Sequence, residues 1–191
     1  MYKFFAFLSR MKYIERWSLM RSNQRENVME HSQHAAAVAH ALAVIGNTYF
    51  GKDLDAGKIA VYALFHESGE VITGDLPTPI KYINKSLNSA YKEIERSANG
   101  KLVGLLPEEM RSVYRGILDM AGETERRYVK YADKLCAYIK CLEELKTGNK
   151  EFLAASATIK NELIAYNNSE VNYFIENFLP AYELTLDELN R

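Results

Sequence analysis

The chain has 191 residues, 48% of them hydrophobic and 26% charged, with a formal net charge of −1. That length suits one domain with a sizeable core rather than two, and the near-balanced charge excludes a bulk attraction to a nucleic acid polymer. No window approaches the roughly 18 unbroken apolar residues of a membrane span, so no membrane partner is expected. The N-terminal apolar run is interrupted by Arg10, Lys12 and Arg16 with no small-residue cleavage site after it, and it reads as an amphipathic helix rather than a signal peptide. Cys136 and Cys141 lie five apart in a helical pattern and point to different faces. A disulfide is not expected there, which favours a reducing, cytoplasmic setting.

Four prolines and ten glycines are too few for a turn-dense β protein, and apolar stripes recur at helical spacing. "FFAFLSRMKYIERW" (4–17) is expected to be a first helix. "ENVMEHSQHAAAVAHALAVIG" (26–46) is a second, with capping-box character in Asn27 and Glu30 and Gly46 placed to end it. "DAGKIAVYALFHESGEVI" (55–72) is a third, broken at Gly74 before the Pro77 and Pro79 turn. A long helix over 81–106 and a shorter one over 107–118 follow, with Pro107 in a first turn. The strongest amphipathic segment runs over 123–148 and stops at Gly148. Two more helices are expected over 149–166 and 169–184, with Pro180 kinking or ending the last. The expected fold is all-α, a helical bundle of about six to eight helices, with residues 1–191 as a single domain.

All four histidines fall between positions 31 and 66. His31 opens its helix beside Glu30, and His66 sits late in an apolar helix directly before Glu67. His34 and His40 read as packing residues, or solvent-facing in the case of His34. Asp133 lies among Tyr131, Ala132, Leu135 and Cys136, where an unpaired carboxylate is costly to bury. Its partner is either a neighbouring lysine, Lys130 or Lys134, or a cation shared with His31, His66 and Glu67. Two imidazoles and two carboxylates suit a first-row divalent ion better than Ca²⁺. "HESGE" superficially resembles the zinc-protease pattern of two histidines one turn apart, but Glu70 stands where the second is required.

The order "ENVMEHS", "LFHESGEVITGDLPTPIKY", "YADKLCAYIKCLEEL" resembles the HD-domain phosphohydrolases, and more narrowly the bacterial 5′-deoxynucleotidases. "FLSRMKYIERWSLM" and "GNKEFLAA" extend the resemblance over most of the chain. It implies that His31, His66, Glu67 and Asp133 ligate one divalent transition ion (Co²⁺, Mn²⁺, Fe²⁺ or Zn²⁺), with His31, Glu67 and Asp133 also facing the substrate. It further implies that Arg16 orients the phosphate, that Trp17 contacts the sugar, and that Asp75, Leu76, Pro77 and Thr78 read the deoxyribose. Glu70 matches the carboxylate that protonates the leaving 5′ oxygen, and a homodimer is implied. The activity implied is metal-dependent hydrolysis of nucleoside 5′-monophosphates, with 2′-deoxy substrates favoured. One position departs from the family pattern of consecutive His-Asp, since here His66 is followed by Glu67, whose arm is longer by a methylene. The alternatives are a nucleotide-binding protein with a weakened metal site and a phosphohydrolase of another nucleotide.

Overall fold

The computed structural model describes residues 1–77, 80 and 83–191. Among them there is no β-strand, only an isolated antiparallel bridge between Glu15 and Asn27. Helices α1 (Phe4–Leu8), α2 (Val28–Tyr49), α3 (Ala56–Phe65) and α4 (Glu70–Thr73) form the first half. They are followed by α5 (Lys85–Gly104), α6 (Glu108–Leu118), α7 (Glu123–Lys146), α8 (Leu153–Ala165), α9 (Ser169–Asn177) and α10 (Leu186–Leu189). Seven of these have nine residues or more, within the expected six to eight.

Helix α2 is the hub, packing against α3, α7 and α9. Its Ala35, Ala39 and Ala43 recur every four residues and are fully buried, so its neighbours approach closely along one stripe. Its start is fixed as the sequence indicates. Asn27 accepts from the Met29 and Glu30 backbone N–H groups, and Glu30 accepts from the Asn27 N–H. The main core joins Leu42, Ile59, Leu135, Ile139, Phe152 and Leu163; burying each such side chain contributes about 2 kcal/mol. A smaller core of Phe4, Leu102, Val103, Leu106 and Leu118 ties α1 to α5 and α6.

Several boundaries differ from the periodic pattern. The first expected helix ends early: a 3₁₀ segment, Ser9–Tyr13, follows α1, and Arg16 and Trp17 lie beyond it. The cause is a backbone pairing that competes with the helix, in which the Arg16 N–H donates to the Glu26 carbonyl and the Val28 N–H to the Ile14 carbonyl. Helix α2 runs past Gly46 to Tyr49, because Gly46 is a packing position rather than a stop. A β-carbon there would lie 2.9 Å from Leu54 Cδ1 and 3.0 Å from Glu170 Oε1. The third expected helix is broken after Phe65 into α3, a turn, and α4. Gly74 ends α4 with φ of 73°, as its type favours. Gly148, with φ of 83°, follows the end of α7, and Pro180 sits in a 3₁₀ segment after α9. His40 is exposed rather than packed. Both cysteines are buried free thiols. No helix among the described residues is long and apolar enough to cross a membrane.

Candidate metal and phosphate site

The three helices that supply the site, α2, α3 and α7, pack against one another. His31 lies in the first turn of α2, His66 caps the C-terminus of α3, Glu67 follows it in the turn, and Asp133 projects from the middle of α7. Residues 102 positions apart in sequence meet here: His31 Nε2 is 3.0 Å from Asp133 Oδ1. His66 Nε2 is 3.5 Å from Glu67 Oε1 and 3.9 Å from Asp133 Oδ1. One ligand atom from each of the four lies within 4.8 Å of the others.

This donor set fits a divalent ion on two further observations. His66 Nδ1 donates to the Ala63 carbonyl at 2.6 Å, so its Nε2 lone pair is turned toward the carboxylates. That Nε2 is buried and makes no hydrogen bond. A buried acceptor facing two acids is an unfavourable arrangement that a cation resolves. Bonds of about 2.0–2.2 Å to such an ion place ligand atoms about 3–4 Å apart, close to the separations present.

The electrostatics are those of a crowded ionic site. Burial pushes the Glu67 carboxyl up, but the neighbouring His66 and Arg16 outweigh it and hold it at about 2. Burial acts the same way on Asp133, and the adjoining His31 and His66 rings, at 3.0 and 3.9 Å, hold it well below the usual range. His31 is raised: burial and Arg16 lower it, but Asp133 and Glu26 prevail. The partners of Asp133 are His31 and His66, while Lys134 pairs with Glu162 at 2.6 Å.

Arg16 Nη1 lies 3.9 Å from Glu67 Oε1. Burial lowers its affinity for the proton, while Asp133, Glu67 and Glu26 raise it further, so the guanidinium stays charged. Beside it Trp17 adopts φ of 60°, a left-handed conformation that costs an aromatic residue about 1–3 kcal/mol. Its indole packs on Phe152, with ring centroids 5.3 Å apart.

A cleft of about 400 Å³ opens beside these groups, within the range of small-molecule sites. Arg16, Trp17, Glu67, Asp75, Leu76, Pro77 and Asp133 line it, and Met20, Ala137, Ala155 and Ile159 give it an apolar end. Thr78, with Pro79 and the start of the expected helix at Lys81 and Tyr82, lies outside the described residues. Glu70 is buried, 4% exposed, and its side chain bonds to Glu67, but it does not line the cleft. It does not share a continuous helix with His66, because the turn at 67–69 separates α3 from α4. His34 is not part of the cluster; its Nε2 lies 3.1 Å from the Tyr182 hydroxyl.

Two features carry no signal in the sequence pattern. The Lys134–Glu162 pair closes one side of the cleft across two helices. Glu26, from the loop before α2, accepts from Trp17 Nε1 at 3.0 Å and from Arg16 Nε at 3.3 Å. Its other oxygen faces His31 Nδ1 at 3.7 Å. Burial pushes Glu26 up, yet His31 and Arg16 hold it below the usual range. An acid one residue ahead of a helix cap reads as an ordinary surface charge, and only the folded loop gives it three partners.

The all-α frame with two histidines and two acids on three helices defines the architecture of an HD-domain phosphohydrolase. The structure superposes on a crystal structure of an HD-domain phosphohydrolase from Listeria innocua with a TM-score of 0.84 at 23% identity, covering 98% of this chain and 92% of that one. It also matches the cyanophage S-2L HD phosphohydrolase DatZ, solved with dA and one catalytic Zn²⁺, with a TM-score of 0.65 at 18% identity, covering 92% and 95%. Residues 3–182 match the family model described as 5′-deoxynucleotidase YfbR-like. A 5′-deoxynucleotidase of Erwinia tasmaniensis is 50% identical over 98% of this chain and 96% of its own length. The 5′-deoxynucleotidase YfbR of Escherichia coli is 49% identical over the same shares. The chain belongs to the YfbR-like 5′-deoxynucleotidase family.

Proposed function

We propose that the protein is a metal-dependent phosphomonoesterase that hydrolyses deoxynucleoside 5′-monophosphates to nucleoside and phosphate. The observation that carries this reading is the convergence of His31, His66, Glu67 and Asp133 within 4.8 Å, beside a charged arginine and a cleft of nucleotide size. These four residues would hold the ion. When bound, a divalent ion supplies Lewis acidity toward a phosphoryl oxygen and toward water.

The remaining work falls to the chain. Arg16 meets the phosphate with the guanidinium edge left free by Glu26, and its permanent charge offsets charge building on phosphorus. Trp17 lays its ring along the sugar, and Asp75, Leu76 and Pro77 form the facing wall, crowding a 2′-hydroxyl. Thr78 belongs to that wall by the family resemblance. Glu70, bonded to Glu67 at the edge of the ligand set, is by the family resemblance the acid for the departing 5′ oxygen, a role that requires it to reach that oxygen directly or through one water. Met20, Ala137, Ala155 and Ile159 give the base an apolar surface without directed hydrogen bonds, so several bases are accepted. The proposal includes residues 1–191 acting as one HD domain, a homodimeric assembly and a cytoplasmic location.

The test is phosphate release from dAMP and AMP by purified protein with Co²⁺, Mn²⁺ or Zn²⁺. Turnover of dAMP exceeding that of AMP is expected. Binding of dAMP by folded protein without release under any of these ions would replace the enzyme reading with that of a binding protein.

A further inference from the structure

We infer that Glu26 is a positioning residue that couples phosphate binding, sugar binding and metal ligation through one carboxylate; the inference rests on the function proposed above. Arg16, Trp17 and His31 serve three different parts of the substrate complex, yet all three face the same acid. Oε2 accepts from Arg16 Nε and Trp17 Nε1, at 3.3 and 3.0 Å. Oε1 faces His31 Nδ1 at 3.7 Å, a separation that a movement of less than 1 Å turns into a hydrogen bond.

The backbone makes this geometry rigid. Residues 14–16 and 26–28 are clamped by the Arg16 N–H to the Glu26 carbonyl and by the Val28 N–H to the Ile14 carbonyl, each at 2.9 Å. Holding Arg16 by Nε leaves Nη1 facing Glu67 Oε1 at 3.9 Å, with the residue on the cleft wall. Holding the indole N–H gives that donor its acceptor while the ring packs on Phe152. On His31 the same acid stands opposite Nδ1, the ring nitrogen turned away from Asp133. Nε2 meets Asp133 Oδ1 at 3.0 Å in the ion-free protein, and a cation taking Nε2 leaves the ring its proton on Nδ1, where Glu26 Oε1 is the acceptor at hand.

Every neighbour of Glu26 in this set is a donor, so the position requires two acceptor oxygens. Glutamine keeps the shape and one acceptor but turns an amide N–H₂ toward His31. That favours the opposite tautomer and places the proton on the ligating nitrogen. Alanine removes all three contacts. A role limited to holding the loop predicts a different pattern, with a lower melting temperature and no change in the function of the folded protein.

Trp17 is the only tryptophan in the chain, so its emission reports this contact directly. The experiment compares wild type, Glu26→Gln and Glu26→Ala by Trp17 emission, Co²⁺ titration and steady-state phosphate release from dAMP. For Glu26→Gln, Co²⁺ binding about 10–100-fold weaker is expected, with wild-type emission. For Glu26→Ala, weaker Co²⁺ binding, shifted emission and a raised KM for dAMP are expected. Wild-type Co²⁺ affinity and KM in both variants, with only the melting temperature lowered, would overturn the inference. If Glu26→Ala does not fold, the metal affinity of Glu26→Gln decides. If the wild type neither binds Co²⁺ nor releases phosphate, the proposed function fails; unchanged emission in Glu26→Ala then overturns the Glu26 assignment separately, and shifted emission upholds its hold on Trp17.

Discussion

Replacing Glu144 by alanine should both destabilise the fold and impair the site, although Glu144 touches no candidate ligand. The side chain is 1% exposed on α7. It accepts from the backbone N–H groups of Asn23 and Gln24 at 2.8 and 3.0 Å, from Asn149 Nδ2 at 2.8 Å and from Lys140 Nζ at 2.6 Å. Lys140 also donates to the Gln24 carbonyl. Alanine leaves a buried ammonium and three further donors without their acceptor. Breaking a buried pair by removing one partner costs about 3–5 kcal/mol, a large share of a typical stability of about 5–15 kcal/mol. The loop released, residues 21–24, connects Arg16 and Trp17 to Glu26, so the KM for dAMP should rise in the protein that stays folded. Urea unfolding followed by circular dichroism measures the first effect, and phosphate release the second. The combined Lys140→Met and Glu144→Leu protein should recover at least about 2 kcal/mol, since no charge is then left buried. A cost below about 1 kcal/mol for Glu144→Ala would refute the reasoning.

Stability should also fall in acid for the same reason. The Glu144 carboxyl is pushed up by burial but held at about 2 by Lys140, Asn149 and the two loop N–H groups. A depressed carboxyl stabilises the fold at pH values above that of the unfolded carboxyl, near 4.5, and loses that contribution as pH falls toward 2. The loss is on the order of 3 kcal/mol and should be absent from the pH-dependent urea midpoints of Glu144→Gln. Arg16→Ala should lower kcat/KM for dAMP by about 10²–10³-fold, and Arg16→Lys should restore only part of it, because a point charge lacks the paired donors. Glu67→Gln should weaken Co²⁺ binding at least about tenfold while Glu67→Asp retains it, which calorimetric titration distinguishes. Gly46→Ala gains about 1 kcal/mol of helix propensity, but its methyl would meet Glu170, which is held by Lys52 at 2.5 Å and Tyr128 at 3.0 Å. A net loss of about 1–2 kcal/mol in thermal unfolding is expected, since overpacking a fixed neighbour outweighs propensity.

The parts of this fold set by local chemistry were legible in the sequence. The α2 cap at Asn27 and Glu30, the amphipathic α7 and the break near Gly74 follow from side-chain type and spacing, and the structure reproduces them. The parts set by distant partners were not. Arg16 and Trp17 left the helical pattern because residues 26–28 offered them a competing backbone pairing. Gly46 looked like a helix stop until Glu170 came to rest against it. Within the candidate site, His31, His66, Glu67 and Asp133 were named through family resemblance, since spacing alone left Asp133 equally suited to a lysine pair. The structure brings all four together and gives Lys134 to Glu162 instead. Glu26 carries no signal in the sequence, because its three partners sit on a loop and a helix that only folding brings to the same carboxylate.

The account depends on one cation held by four named side chains. Anomalous diffraction from crystals grown with Co²⁺ tests this most directly. The account predicts a single strong peak within about 2.0–2.2 Å of a nitrogen of His31 and of His66 and an oxygen of Glu67 and of Asp133. A fully active protein whose peak lies elsewhere, or whose four side chains keep their mutual contacts with no peak between them, would contradict it.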